Sequence, residues 1–431
     1  MTEGMVAVVL IGLLFVLLAG GLWIGVALLG VAIAGMHLFT NRPIGDPMAL
    51  IVWGSSSTWT LTALPLFVWM GEILVRTRVT QSLFNGLTPL VNWLPGRLLH
   101  VNTIGCTIFA AACGSSAATC AMIGKLTVPE LRKRDYPESI VVGSLAGPAT
   151  LGLLIPPSIT MIVYGVSADV SITKLFVAGV LPGLALALMF VLYTALWSLT
   201  HTAQMPAVEE QLPIGQRLRQ IRHLLPVVIL IAAVIGTIYA GIATPTEAAA
   251  IGVVGALLLA VMDGSLNSDS FFSGIVGATQ LYAMIALILI GSSFLTLAMG
   301  YIGLPRLLAG WISGMNLPVP VFVALLVVLY AILGCFLEGV SIVVLTIAII
   351  LPSVEAVGID LLWFGVFIVL VVEMAQITPP VGINLFIIQG LTGVGLEKIS
   401  RYALPFFLIM LVMVATIYLF PQLVLWLPSK L

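Results

Sequence analysis

The chain has 431 residues, 61% of them hydrophobic and only 8% charged, with a formal net charge of −1 and a mean hydropathy of +1.22. Soluble domains carry about 25% charged residues, so this composition excludes a water-exposed globule. The near-zero net charge gives no ground for a nucleic-acid partner.

The N-terminus carries Glu3 and no basic residue before the apolar stretch 5–19. A cleavable signal needs a positive n-region, so this stretch reads as a first membrane helix that is retained. Residues 1–95 are then N-terminal helices in the lipid bilayer. Basic residues gather at Arg76 and Arg78, at Arg97 with Arg132, Lys133 and Arg134, and at Arg217, Arg219 and Arg222. The positive-inside rule puts all three groups on the cytoplasmic face. The apolar segment between Arg97 and Arg132 therefore returns to the side it entered. Split at Gly114-Ser115-Ser116, each arm has about 14 residues or ~21 Å, short of the ~30 Å of hydrocarbon. The expectation is a re-entrant hairpin over 97–129, open to the cytoplasm.

A helix over 137–168 follows, interrupted at Pro156-Pro157. Together with the hairpin it makes a first repeat, 96–200. Adjacent prolines delete two i→i−4 hydrogen bonds, which predicts free carbonyls at Gly152 and Leu153. Apolar runs at 171–199, 224–243, 270–300 and 402–427 are long enough to cross a bilayer. The polar stretch 201–223, with Glu209 and Glu210, is the expected cytoplasmic joint, and 224–316 supplies further membrane helices. Cys106, Cys113, Cys120 and Cys335 all lie in apolar segments and read as packing residues.

The last segment, 317–431, repeats the first transport unit. Pro95, Pro129, Pro156, Pro157 and Pro182 recur at one fixed offset as Pro318, Pro352, Pro379, Pro380 and Pro405. Halves that break their helices at matching places are copies of one structural unit. The second copy predicts a hairpin over 318–352 with its tip at 334–339, including Phe336, and a broken helix over 360–392. Its proline pair, Pro379-Pro380, predicts free carbonyls at Ala375 and Gln376. No basic residue flanks this hairpin, and Glu355 and Asp360 follow it, so it opens from the periplasm. The fold class expected is an all-α polytopic membrane protein. It is built on an inverted repeat with two re-entrant helical hairpins and two Pro-Pro-broken helices, both termini being periplasmic. The Pro95, Pro129 and Pro182 pairs read as segment boundaries.

Unpaired carbonyls at membrane depth must face protein, water or a ligand. With hydroxyl and amide oxygens they suit a hard cation such as sodium. The candidate sodium ligands are the backbones of Gly152, Leu153, Ala375 and Gln376, with Ser115, Ser116, Thr150, Ser158, Thr378 and Asn384. Helix N-termini at the two tips favour an anion such as a carboxylate, which nominates Gly114, Ser115, Ser116, Glu338 and Gly339 for substrate. Lys125 either snorkels to the cytoplasmic surface or pairs with a substrate carboxylate. Glu373, six residues before the second proline pair, faces the bundle and is a candidate for coupling or gating. Glu247 reads as an acid at a helix N-terminus, and Glu72 and Asp169 as interfacial residues. No organic cofactor is expected.

Gly114-Ser115-Ser116-Ala117-Ala118-Thr119, Pro129-Glu130-Leu131 with Tyr136, and Gly-Leu-Leu-Ile-Pro-Pro-Ser at 152–158 carry a resemblance. So do Ala243-Thr244-Pro245-Thr246-Glu247-Ala248 and Ile377-Thr378-Pro379-Pro380-Val381-Gly382-Ile383-Asn384. Over nearly its whole length the chain resembles the large membrane subunit of tripartite ATP-independent periplasmic (TRAP) transporters. That resemblance implies sodium-driven uptake across the bacterial inner membrane, with Na+ as the coupling ion. It also implies delivery of a carboxylate-bearing organic acid by a periplasmic binding protein, a separate small membrane subunit, and an elevator motion of two transport repeats, 96–200 and 317–431, past scaffold helices over 1–95 and 224–316.

Three rivals remain open. A self-sufficient sodium–dicarboxylate or anion symporter has the same inverted plan and needs no binding protein. A channel fits less well, because two hairpins meeting at broken helices build a closed site. A membrane-embedded protease would want His-Glu-x-x-His, whereas His37, His100, His201 and His223 are scattered.

Overall fold

Hydrocarbon offers the backbone no hydrogen-bond partners, so a chain of this composition satisfies its own amides in helices. Every regular element among the described residues is helical. The computed structural model describes residues 3–77, 79–206, 215, 220–222, 224–305, 310, 314–315, 317–335, 337–380 and 382–431. Arg78, Glu209, Glu210, Arg217, Arg219, His223, Phe336 and Val381 lie outside the described residues.

The N-terminal part comprises α1 (Glu3–Ala19), α2 (Ile24–Phe39), α3 (Gly45–Ser56), α4 (Ala63–Arg76) and α5 (Val79–Val91). The first hairpin is α6 (Leu99–Cys113) and α7 (Ser116–Lys133). The broken helix after it is α8 (Glu138–Ala149), the single turn α9 (Leu151–Leu154) and α10 (Ile159–Ser167). The chain bends by 40° across that break. Then come α11 (Ile172–Thr200), α12 (Leu225–Tyr239), α13 (Pro245–Met262) and α14 (Ser268–Ile302). The second hairpin is α15 (Val319–Gly334) and α16 (Gly339–Ala356). Its broken helix is α17 (Leu361–Ala375) and α18 (Ile383–Thr392), followed by α19 (Leu396–Leu419) and α20 (Gln422–Leu425).

Among the described residues, four helices are long and apolar enough to cross a membrane, or up to seven if each bent pair is one span. This is a multi-pass membrane protein. Several helix starts are closed by their own side chains. Ser115, Ser158 and Asp360 accept from the backbone N–H of Ala118, Met161 and Trp363, and Thr244 forms a reciprocal capping box with Glu247. Glu247 is thus the helix-start acid that its position suggested.

Helices α2, α4, α13 and α14 pack on one another. In the rest of the bundle, the first arm of each hairpin lies on the first half of its own broken helix, α6 on α8 and α15 on α17. The second halves cross over: α10 packs on α16 and α18 on α7. At one end, Arg132 at the base of the first hairpin bonds Glu138 at 2.6 Å and the carbonyl of Thr392 at 2.7 Å. At the base of the second hairpin, the Tyr164 hydroxyl donates to the carbonyl of Leu361 at 2.6 Å.

The prolines expected to end segments do not all do so. Pro129, Pro182, Pro352 and Pro405 lie inside α7, α11, α16 and α19. The hairpins therefore run on to Lys133 and Ala356 rather than stopping at 129 and 352. A single proline removes one bond and leaves a kink that neighbouring helices support. The true breaks fall at the proline pairs.

Candidate substrate and ion site

The first tip is held against the first break by backbone contact. Gly114 ends α6 at φ 59°, and a Cβ there would stand 2.6 Å from the carbonyl oxygen of Pro157. A Cβ on Gly152 would stand 2.7 Å from the carbonyl oxygen of Ser115. Only glycine permits either approach. Ser115 uses its hydroxyl to cap α7, accepting from Ala118 N at 3.4 Å. Ser116 reaches across the fold. Its hydroxyl donates to the carbonyl of Ala149 at 3.2 Å and accepts from the amide of Asn384 at 2.8 Å.

The second tip mirrors this arrangement with different chemistry. Gly339 opens α16 close to Val372, Gln376 and Leu153. Glu338 occupies the cap position but makes no side-chain cap bond, and it is exposed. The chain leaves α17 in a tight turn. Thr378 N donates to the carbonyl of Ala375 at 3.1 Å, and Asn384 N to that of Gln376 at 3.3 Å. Gln376 and Asn384 are both buried.

Between the tips lies a cavity of about 240 Å³. Ser115, Ser116 and Ala117 line it from the first tip, Glu338 and Val340 from the second, Leu153 and Ile159 from the first break, and Gln376 and Ile383 from the second. Leu281 and Ile285 of α14 close it from the scaffold side. Its charged lining residue is Glu338, and the first turns of α7, α16 and α18 present backbone N–H groups around it. Small polar groups on an apolar wall suit a small organic solute.

The nominated residues divide accordingly. Ser115, Ser116, Leu153, Glu338 and Gln376 line the cavity, and Gly114, Gly152, Gly339 and Asn384 shape or back it. Ser158 is fully buried and caps α10 through Met161 N at 3.2 Å. The Thr150 hydroxyl donates to the carbonyl of Gly147 at 2.6 Å, and that of Thr378 to the carbonyl of Met374 at 2.9 Å. Two expectations are corrected. The carbonyls of Ala375 and Gln376 are not freed by Pro379-Pro380, because the turn after α17 supplies them with donors. In the first break, the residues four on from Gly152 and Leu153 are Pro156 and Pro157, which have no N–H to give. Lys125 is exposed and does not line the cavity; nine residues along α7 place it about 13 Å beyond Ser116.

Six lining residues were not nominated from the sequence: Ala117, Val340 and Ile383, next to nominated positions, and Ile159, Leu281 and Ile285. Ile159, Leu281 and Ile285 are ordinary apolar residues in apolar helices, and no local signal separates them from packing. Glu373 carried the signal of an acid at membrane depth but could not be assigned a partner. It is fully buried near Ser116, and among the described residues no hydrogen bond reaches either carboxylate oxygen.

Comparison with known proteins follows the same lines. Residues 11–423 match the family described as "Tripartite ATP-independent periplasmic transporter, DctM component". A C4-dicarboxylate TRAP transporter large permease protein of Rhodobacter capsulatus is 31% identical over 99% of this chain and 100% of its own. A sialic acid TRAP transporter large permease protein of Vibrio cholerae is 30% identical over 97% of this chain and 96% of its own. Among solved structures, that of Neisseria gonorrhoeae MtrF, from a class of antimetabolite efflux pumps, is similar in fold. It superposes with a TM-score of 0.51 at 12% identity, over 92% of each chain.

Proposed function

This chain belongs to the DctM component family of tripartite ATP-independent periplasmic transporters, and on that premise we propose that it drives sodium-coupled uptake of a carboxylate-bearing solute. It is the large permease of a secondary transport system and not an enzyme. The solute is of the C4-dicarboxylate or sugar-acid type, the classes named for the two relatives. A periplasmic binding protein delivers it, and a small membrane subunit completes the permease in the bacterial inner membrane.

One observation carries the reading: both hairpin tips and both helix breaks converge on a single cavity of about 240 Å³. An inverted repeat is supported by the crossed packing of α10 on α16 and α18 on α7. It is supported further by the two bases, one tied to the C-terminal end of α18 through Arg132 and the other to α10 through Tyr164. The two transport repeats then move together as an elevator, carrying the cavity past α14 of the scaffold. Sodium sits among the oxygens flanking the proline pairs, with Ser116, Asn384 and the carbonyls of Gly152 and Leu153 as the leading ligands. Both termini face the periplasm in this arrangement.

The test is uptake into proteoliposomes holding the chain and its small subunit, with and without the binding protein, under a sodium, potassium or proton gradient. Accumulation requiring both sodium and binding protein is expected. Uptake that follows the pH gradient and ignores sodium would overturn the coupling. Uptake without a binding protein would move the chain to the self-sufficient symporters.

A further inference from the structure

We propose that the cleft between the second proline pair and α19 binds one anionic phospholipid of the cytoplasmic leaflet, its phosphate at Arg401 and an acyl chain laid over Pro379-Pro380. The cleft has a volume of about 510 Å³. Ile377, Thr378, Pro379 and Pro380 form one wall, and Leu396, Glu397, Ser400, Arg401, Leu404 and Phe407 of α19 form the other. It shares no lining residue with the cavity between the hairpin tips. The site depends on the transport reading only for its consequence.

The two repeats differ at this place, and the difference opens the cleft. In the first repeat Pro156 and Pro157 are buried, because α11 comes close to its own break at two glycines. A Cβ on Gly179 would stand 2.8 Å from the carbonyl oxygen of Leu154, and one on Gly183 would stand 2.7 Å from the Ile155 side chain. At the repeat offset these glycines become Tyr402 and Phe406. Tyr402 and Phe406 pack instead against Gly143 and Gly147 of α8. Helix α19 therefore stands off from the second break, and Pro379 and Pro380 are left exposed.

The lining is graded along its length. Glu397, Ser400 and Arg401 gather at the start of α19, and Leu404 and Phe407 lie deeper with the prolines. From Glu397 to Phe407 the helix rises ~15 Å, the depth of one leaflet in a hydrocarbon core of ~30 Å. The start of α19 stands at the cytoplasmic level, since Arg132 of the basic group at 132–134 holds the carbonyl of Thr392 just before it. Arg401 bonds Glu397 at 2.6 Å, which leaves further guanidinium N–H donors for a phosphate. Lys398 is exposed nearby. A helix ~10 Å across would need ~1,200 Å³ over the same ~15 Å, so the cleft is sized for an acyl chain rather than for a partner's helix. A chain seated there backs the break whose Gln376 and Ile383 line the substrate cavity. Lipid occupancy thereby supports that cavity's wall.

The experiment follows thermal unfolding of the full chain in detergent as dioleoyl phosphatidylglycerol or dioleoyl phosphatidylcholine is titrated in. Phosphatidylglycerol should raise Tm saturably, with a midpoint severalfold below that of phosphatidylcholine. Arg401→Gln changes an exposed side chain, so it should fold normally and lose the preference between the two lipids. Leu404→Trp, which fills the cleft from an exposed position, should weaken the response to both. Lys430→Gln, which removes a basic residue outside the cleft, should respond like the wild type. A wild type that does not distinguish the two lipids would overturn the proposal, as would Arg401→Gln and Leu404→Trp responses equal to the wild type's. Protection of Leu404→Cys from a lipid-soluble maleimide by the small membrane subunit, with no lipid response, would give the cleft to a partner's helix instead. None of these readouts involves uptake, so the lipid site and the transport reading can fail separately.

Discussion

Ser116 and Asn384 lie 268 residues apart in the chain, yet the Asn384 amide donates a 2.8 Å hydrogen bond to the Ser116 hydroxyl. The bond joins the tip of the first hairpin to the restart of the helix after the second proline pair. Neither residue has an alternative partner within its own segment for this interaction. The bond ties the two halves of the protein together beside the cavity that Ser116 lines.

Removing that link should impair transport more than folding. Ser116→Ala strands the Asn384 amide and withdraws a donor from the carbonyl of Ala149. Leaving buried polar groups unpaired costs about 1–3 kcal/mol. Spread over a local element rather than the whole bundle, this loosens the tip. Uptake in proteoliposomes should fall about tenfold, the equivalent of ~1.4 kcal/mol, while the amount inserted stays near wild type. Unchanged uptake would show that the link is dispensable.

Close backbone approach at the first tip makes a second, sterically defined case. A Cβ on Gly152 would stand 2.7 Å from the carbonyl oxygen of Ser115, so Gly152→Ala must push the tip away from the break. Overpacking of this kind costs about 1–3 kcal/mol. Gly236 offers a matched control, since nothing lies within 4 Å of its Cβ position. Gly236→Ala should leave uptake unchanged, and Gly152→Ala should reduce it severalfold or more. Equal activity of the two variants would contradict the packing seen at the tip.

How far the sequence anticipated this site depends on the kind of signal. Proline pairs and Gly-Ser-Ser are written in backbone chemistry, so the breaks at 155–158 and 376–382 and the turn at Gly114 were legible. Single prolines were over-read: Pro129 and Pro352 sit inside α7 and α16, because neighbouring helices compensate one missing bond. The carbonyls of Ala375 and Gln376 were misjudged for a different reason. Which N–H reaches a carbonyl depends on how the chain turns back, and no rule of spacing states that. Leu281 and Ile285 belong to a helix distant in sequence, and only the packed bundle brings them to the cavity.

Opposite orientation of the two hairpins can be read by labelling. Lys133 at the base of the first hairpin and Glu355 at the base of the second are both exposed, while the four native cysteines are buried and should give little background. A membrane-impermeant maleimide applied to right-side-out vesicles should label Glu355→Cys and spare Lys133→Cys. Inverted vesicles should reverse the pattern. Labelling of both positions from one side would rule out the inverted repeat.

Charge inside the cavity separates the roles of Glu338 and Lys125. Glu338 lines the cavity and is its charged side chain, whereas Lys125 is exposed on α7 and outside it. A unit charge acts on another across ~8 Å with about 2 kcal/mol at an effective dielectric of ~20, less where water enters. For the carboxylate-bearing solute proposed above, Glu338 opposes binding, and the helix N-termini around the cavity have to outweigh it. Glu338→Gln should tighten binding of a dicarboxylate by up to about thirtyfold on this arithmetic, and the gain should shrink for a monocarboxylate. Lys125→Gln should leave the affinity for either solute unchanged. Competition measured against a labelled solute in proteoliposomes reads both. Weaker dicarboxylate binding by Glu338→Gln would mean that this carboxylate contacts a donor group of the solute rather than repelling its charge.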